Sequence, residues 1–182
     1  MPPKVNDFPA YWNAPSQLLA LDGCCGPVTA WGILKYFRIR ASSARIIEAC
    51  RYTKRHGTFT IALAVALREF GLSVSFYSDI DPSPNRIERR CLRIAERLGI
   101  HVKRSIGLKA LLAQINSRSI PVVLYNTPEG NGHLSPLLGV ENGCVALPYS
   151  DEVMMPKRVF LRRWSEPGVL RQCLIASYQN RT

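Results

Sequence analysis

The stretch Cys24-Cys25-Gly26-Pro27, followed by the apolar series Val28, Trp31, Ile33, Leu34 and Phe37, decides how this chain is read. Proline at a first helical position, with helically spaced apolar residues behind it, marks a helix start. Cys25 then sits where the helix dipole and the free first-turn N–H groups favour a thiolate. Far downstream, Gly130-Asn131-Gly132-His133-Leu134 carries a histidine into a strand-like stretch that ends at Val140. A helix-start thiol and a distant imidazole are the two parts of a nucleophilic pair, in which the imidazole takes and later returns the thiol's proton. A cysteine alone is more often a small buried apolar residue. The glycines ahead of His133 also allow close backbone approach to a substrate. His56 and His101 lack such surroundings and read as exposed or structural residues.

Working outward from the first helix, Ser42 or Ser43 caps a short helix through Ile46, Ile47 and Cys50, and Arg51 to Gly57 is a polar loop. Thr58 or Thr60 starts a helix containing Ile61, Val65 and Phe70, stopped by Gly71. Leu72 to Tyr77 alternates as a strand, and Asp81-Pro82-Ser83-Pro84 turns into a helix that reaches about Leu98. Ile100 to Arg104 reads as a short strand and Leu108 to Ile115 as a helix. Strands follow at 120–125, 133–140 and 144–147, with Glu141-Asn142-Gly143 as a hairpin turn, and 173–178 adds a late strand. Helices early and antiparallel strands late give an α+β class, with helices on one side of a small sheet. One domain spanning 1–182 is expected.

The 182 residues are 47% hydrophobic, which excludes a disordered chain. No apolar run reaches the ~18 residues a membrane span needs. Met1-Pro2-Pro3-Lys4-Val5-Asn6-Asp7 lacks the apolar core of a signal peptide. The six cysteines show no metal-like pair spacing, and Cys50 and Cys91 fall on apolar helix faces, as free thiols do in a reducing compartment. Lys and Arg outnumber Asp and Glu by 24 to 13, a net charge of +11 that favours acidic partners. Arg86, Arg90, Arg93 and Arg97 form one stripe on their helix, a face suited either to solvent or to an acidic protein. No nucleic-acid motif or aromatic interleaving accompanies it.

Cys25-Gly26-Pro27 entering a helix, Gly57-Thr58 before the next amphipathic helix, and Gly132-His133 leading into Leu137-Leu138-Gly139-Val140 resemble the bacteriocin-processing peptidases. Those are papain-fold enzymes that cut after double glycine. Gly132-His133-Leu134-Ser135-Pro136 also resembles the phytochelatin synthases, which share that fold. The resemblance covers roughly residues 17–151. It implies a papain-like fold with N-terminal helices packed on a small antiparallel sheet, and a cleft between the first helix and the sheet. It makes Cys25 the nucleophile and His133 its base, because the family's reactive thiol directly precedes Gly-Pro; Cys24 is then a spectator. The family's oxyanion-binding glutamine corresponds to Gln17, although a longer segment separates Gln17 from Cys25 here. The Cys25 N–H is the second donor.

The family's third residue is an Asp just before the Pro that closes the strand after the histidine. That slot holds Leu147, before Pro148. Asp151 is the nearest acid in phase with the phytochelatin-synthase pattern and is taken as the candidate. The alternatives are a bare Cys–His dyad or a backbone carbonyl that orients the ring. Asn142 faces away in its turn. No cofactor and no metal is expected.

A cysteine peptidase acting on a protein substrate is the leading expectation, with Tyr11, Trp12 and Trp31 as candidate walls of a narrow cleft selecting a Gly-Gly pair. Such an enzyme is either a cytoplasmic processor or a bacterial effector toxin, exported by a non-classical route and held by an acidic inhibitor or immunity protein. Acyl transfer or deamidation through the same pair is the second class, and a catalytically degenerate peptide-binding module is the third.

Overall fold

Short 3-10 turns at Val5–Asp7 and Tyr11–Asn13 lead into α1 (Ser16–Leu19), α2 (Cys25–Tyr36), α3 (Ser43–Ala49) and α4 (Thr60–Glu69). This computed structural model describes residues 3–178, so the ends of the expected 1–182 domain, and Met1 and Pro2 of the stretch inspected for a signal segment, lie outside the described residues. The chain continues through β1 (Ser73–Ser78), α5 (Arg86–Arg97), β2 (Val102–Arg104), α6 (Leu108–Leu112) and β3 (Ser119–Asn126). It ends with β4 (Gly132–Pro136), β5 (Gly139–Glu141), β6 (Cys144–Ala146), β7 (Met154–Pro156), α7 (Lys157–Trp164) and β8 (Cys173–Ser177).

The main sheet has the order β2-β1-β8-β3-β4 and is antiparallel except for the β1–β2 pair. Because strand side chains alternate between faces, the sheet separates two cores. Phe76, Val122, Leu134, Leu174 and Ala176 join α2 and α4 in the first. Val123, Tyr125, Cys173 and Ile175 meet Leu111, Phe160 and Trp164 of α6 and α7 in the second. α4 is buried from Thr60 to Leu67, so no polar stripe is needed, and it lies among α2, α3, α5 and β1. α5 is its opposite: Cys91 and Ala95 face inward, while Arg86, Arg90, Arg93 and Arg97 are exposed. Asn85 caps it by accepting from the Ile87 N–H at 2.8 Å.

Several local expectations change. The stretch 133–140 is two strands in two sheets, because Leu138 fills the first core and the adjacent Leu137 the second. The chain must turn between them: Leu137 N–H donates to Pro121 O and Leu138 N–H to Ala146 O. β5, β6 and β7 form a separate three-stranded sheet. The Asn142-Gly143 turn has both residues at positive φ, 49° and 76°, as a two-residue hairpin requires. The helix expected over 108–115 stops at Leu112, while β7 and α7 occupy a stretch for which the sequence suggested no element. α6 and α7 cover the second sheet face, where helices were expected on one side alone. Cys50, Cys91 and Cys173 are buried free thiols, and no described helix is long and apolar enough to cross a membrane.

Candidate active site

Cys25 is the first residue of α2, behind Cys24 as N-cap, so Pro27 stands at the third helical position rather than the first. Its missing N–H costs nothing there, since the first-turn N–H groups have no intrahelical acceptor. Between them, Gly26 lies against the entry to α4, where an added Cβ would come within 2.4 Å of the Thr58 Cβ.

β4 is an edge strand, and the peptide groups of Leu134 point away from β3 toward α2. Buried backbone groups must find partners, and α2 supplies both. The Thr29 hydroxyl donates to Leu134 O at 3.2 Å, and the Leu134 N–H faces the Cys25 thiol, where it favours the charged form. This seam makes Cys25 a neighbour of the residue just before Leu134, which is His133. Burial pushes the Cys25 thiol above its ordinary pKa; N–H groups of Leu134, Gly26 and Cys25 itself pull it down, but less.

His133 stands opposite Tyr125 of β3, the two rings edge-on with centroids 5.5 Å apart. Its Nε2 lies 2.7 Å from Tyr149 O. A carbonyl only accepts, so Nε2 carries the hydrogen and Nδ1 keeps the lone pair that a base needs. Burial lowers the imidazole pKa, against smaller raising contributions from the Tyr149 bond and the Asp151 charge.

Of the expected site residues, Cys25 lies against the peptide that joins His133 to Leu134. Asp151 is exposed and shares with His133 a recess of about 70 Å³ that also contains Tyr125, Ser150, Glu152 and Arg163. The ring nevertheless bonds to the Tyr149 carbonyl and not to Asp151. Leu147, in the slot of the family's acid, is fully buried. Gln17 is exposed on α1, which packs against α2. The Cys24 sulfur is engaged with the Tyr11 hydroxyl at 3.0 Å. Tyr11 and Trp31 are half-buried against the first core and Trp12 is 78% exposed, while His56 and His101 lie on the surface. Among the described residues, no three His, Cys, Asp or Glu side chains gather to hold a metal. A wider groove of about 700 Å³, between α5 and the β1–β2 edge, contains neither Cys25 nor His133.

The Leu134 N–H and Tyr149 O had no sequence signature, since every residue carries such groups. One signal was available: Gly32 in the interior of α2, because a glycine there weakens a helix and implies close packing.

No family model matches the sequence, and no curated protein matches it. Among solved structures, the peptidase domain of Streptococcus ComA, a bi-functional ABC transporter involved in a quorum-sensing pathway, is similar with a TM-score of 0.53 and 14% identity. That match covers 85% of this chain and 91% of the other. A double-glycine-motif protease from an AMS/PCAT transporter, solved in complex with its leader peptide, gives 0.55 and 15%, over 94% and 92% of the two chains. The chain thus has the α+β, papain-like fold of these peptidase domains.

Proposed function

We propose that this chain is a cysteine peptidase in which Cys25 is the nucleophile and His133 its base. The observation that carries the reading is the 2.7 Å bond from His133 Nε2 to Tyr149 O, which leaves the Nδ1 lone pair as base beside a helix-start thiol. His133 Nδ1 takes the thiol proton as the Cys25 sulfur attacks the scissile carbonyl carbon. The oxyanion is held by the Cys25 N–H and by the Gln17 amide from neighbouring α1. His133 returns the proton to the leaving amine, and water, with His133 again as base, hydrolyses the thioester. Asp151 adds a negative charge near the imidazolium that forms in both steps.

The substrate is a protein or peptide cut after small residues, a Gly-Gly pair first, a choice supported by the likeness to a double-glycine-motif protease. The exposed arginines of α5 take part in no ion pair among the described residues, which supports an acidic protein, substrate or inhibitor of the immunity type, as partner.

Purified protein incubated with a peptide containing Gly-Gly should release a new amino terminus after the second glycine. Cys25→Ala and His133→Ala should each cost several orders of magnitude, and the double variant no more than either single one. Replacing either glycine by Ala or Val should reduce kcat/KM at least about tenfold, as steric exclusion would. Transfer of the acyl group to an added amine without hydrolysis, or conversion of a glutamine to glutamate, would replace the peptidase with a transferase or a deamidase. A Cys25 thiol inert to iodoacetamide would leave a binding module.

A further inference from the structure

Tyr149 is held from every side. Its N–H donates to the Ser135 hydroxyl at 3.3 Å, on the same strand as His133, and Ser135 is itself fixed by donating to Pro136 O. Its ring lies over Gly32 of α2, where an added Cβ would meet the hydroxyl oxygen at 1.9 Å and the ring carbons at 2.7 and 2.9 Å. The rings of Phe8 and Tyr11 pack against it with centroids 5.7 Å away, and its hydroxyl donates to Pro9 O at 2.9 Å. The remaining polar group, its carbonyl, accepts from His133 Nε2. One residue therefore touches the nucleophile's helix, the histidine's strand and the N-terminal segment.

We infer that Tyr149 is the positioning residue of this site: its buried ring, seated on Gly32 and tied to Pro9, holds the backbone carbonyl that fixes the tautomer and orientation of His133. The inference rests on the reading of His133 as base. Asp151 is exposed and free to swing, so a clamped carbonyl is the firmer partner for the ring. A carbonyl carries no charge, so it directs the imidazole without forcing it into the cationic form. Gly32 follows from the same arrangement, because any side chain there would push the ring, and the carbonyl with it, out of place. The segment around Phe8 and Pro9 becomes part of the site's support rather than an appendage.

The test is ¹⁵N NMR of the histidine ring nitrogens, with His133 assigned by His133→Gln, combined with kinetics on the cleaved peptide. The recess that holds the imidazole is lined by Tyr125 from β3, Arg163 from α7, and Ser150, Asp151 and Glu152 from the loop before β7. Spectra are therefore recorded at pH 8, where the lowered His133 pKa leaves the ring neutral. Wild type should show a single Nε2–H tautomer. Gly32→Ala should show a mixture of tautomers and lose roughly 10- to 100-fold in kcat, with KM changed less than about twofold. Ser135→Ala and Tyr149→Phe keep the core filled and each remove one tether, so they should give smaller shifts in the same direction while retaining the wild-type circular dichroism. Pure Nε2–H signals in all three variants, or tautomers that mix only when the circular dichroism is lost, would overturn the inference. A shifted tautomer in a protein that cleaves no peptide would leave Tyr149 in its role and remove the peptidase reading.

Discussion

Gly26 offers a direct test of how the nucleophile's helix is seated. A Cβ on Gly26 would lie 2.4, 2.8 and 2.9 Å from the Thr58 Cβ, Oγ1 and Cγ2, all closer than van der Waals contact. Thr58 is 8% exposed and has no flexible end to swing aside, so α2 and the start of α4 must separate. Overpacking of this kind costs about 1–3 kcal/mol. Replacing a helical glycine by alanine returns at most ~1 kcal/mol. The net expectation for Gly26→Ala is a loss of about 1–2 kcal/mol, a fall in Tm of about 2–8 °C for a chain of this size. Differential scanning calorimetry reads the shift. The matching experiment is the swap Gly26→Ala with Thr58→Gly, which removes all three clashing atoms. The double variant should be more stable than the sum of the single effects by ~1 kcal/mol. A Gly26→Ala protein as stable as wild type, or strictly additive variants, would refute the packing account.

Asp151→Asn should reduce kcat by less than about tenfold, because the ring's hydrogen bond goes to Tyr149 O, and a larger loss would make the carboxylate the orienting group. Since the Asp151 charge raises the His133 pKa and burial lowers it, the acid limb of kcat/KM should lie below the ordinary imidazole value of about 6.5 and move lower still in Asp151→Asn. An upward move would contradict the sign. Gln17→Ala should lower kcat by roughly 10²-fold if its amide serves the oxyanion, and an unchanged kcat would remove it from the site. Arg86→Glu with Arg90→Glu should weaken binding of an acidic protein substrate and flatten its salt dependence while sparing turnover of a short neutral peptide. Equal binding by wild type and variant would return the stripe to an ordinary solvated face.

The features legible before folding are local ones. The start of α2 to within two residues of Pro27, the Asn-Gly hairpin at Asn142 and Gly143, and the basic and apolar faces of α5 all follow from propensity, capping and periodicity within a few residues. Cys25 and His133 could be singled out for the same reason, since their glycine and proline neighbours are adjacent in the chain. The tertiary structure decided what depends on distant partners. β8 sits between β1 and β3, yet nothing in its five residues says which strands it will join. α7 was not legible because its short run of alternating cationic and apolar residues acquires meaning only against β3 and β7. The break after Pro136 arises because neighbouring leucines are claimed by different cores. Most consequential for the site, the partner of His133 is a backbone oxygen, and side-chain identity does not encode where a carbonyl will point. That direction is set by a ring seated on Gly32, a hydroxyl bonded to Pro9 and an N–H bonded to Ser135, three contacts that exist only once the chain has closed on itself.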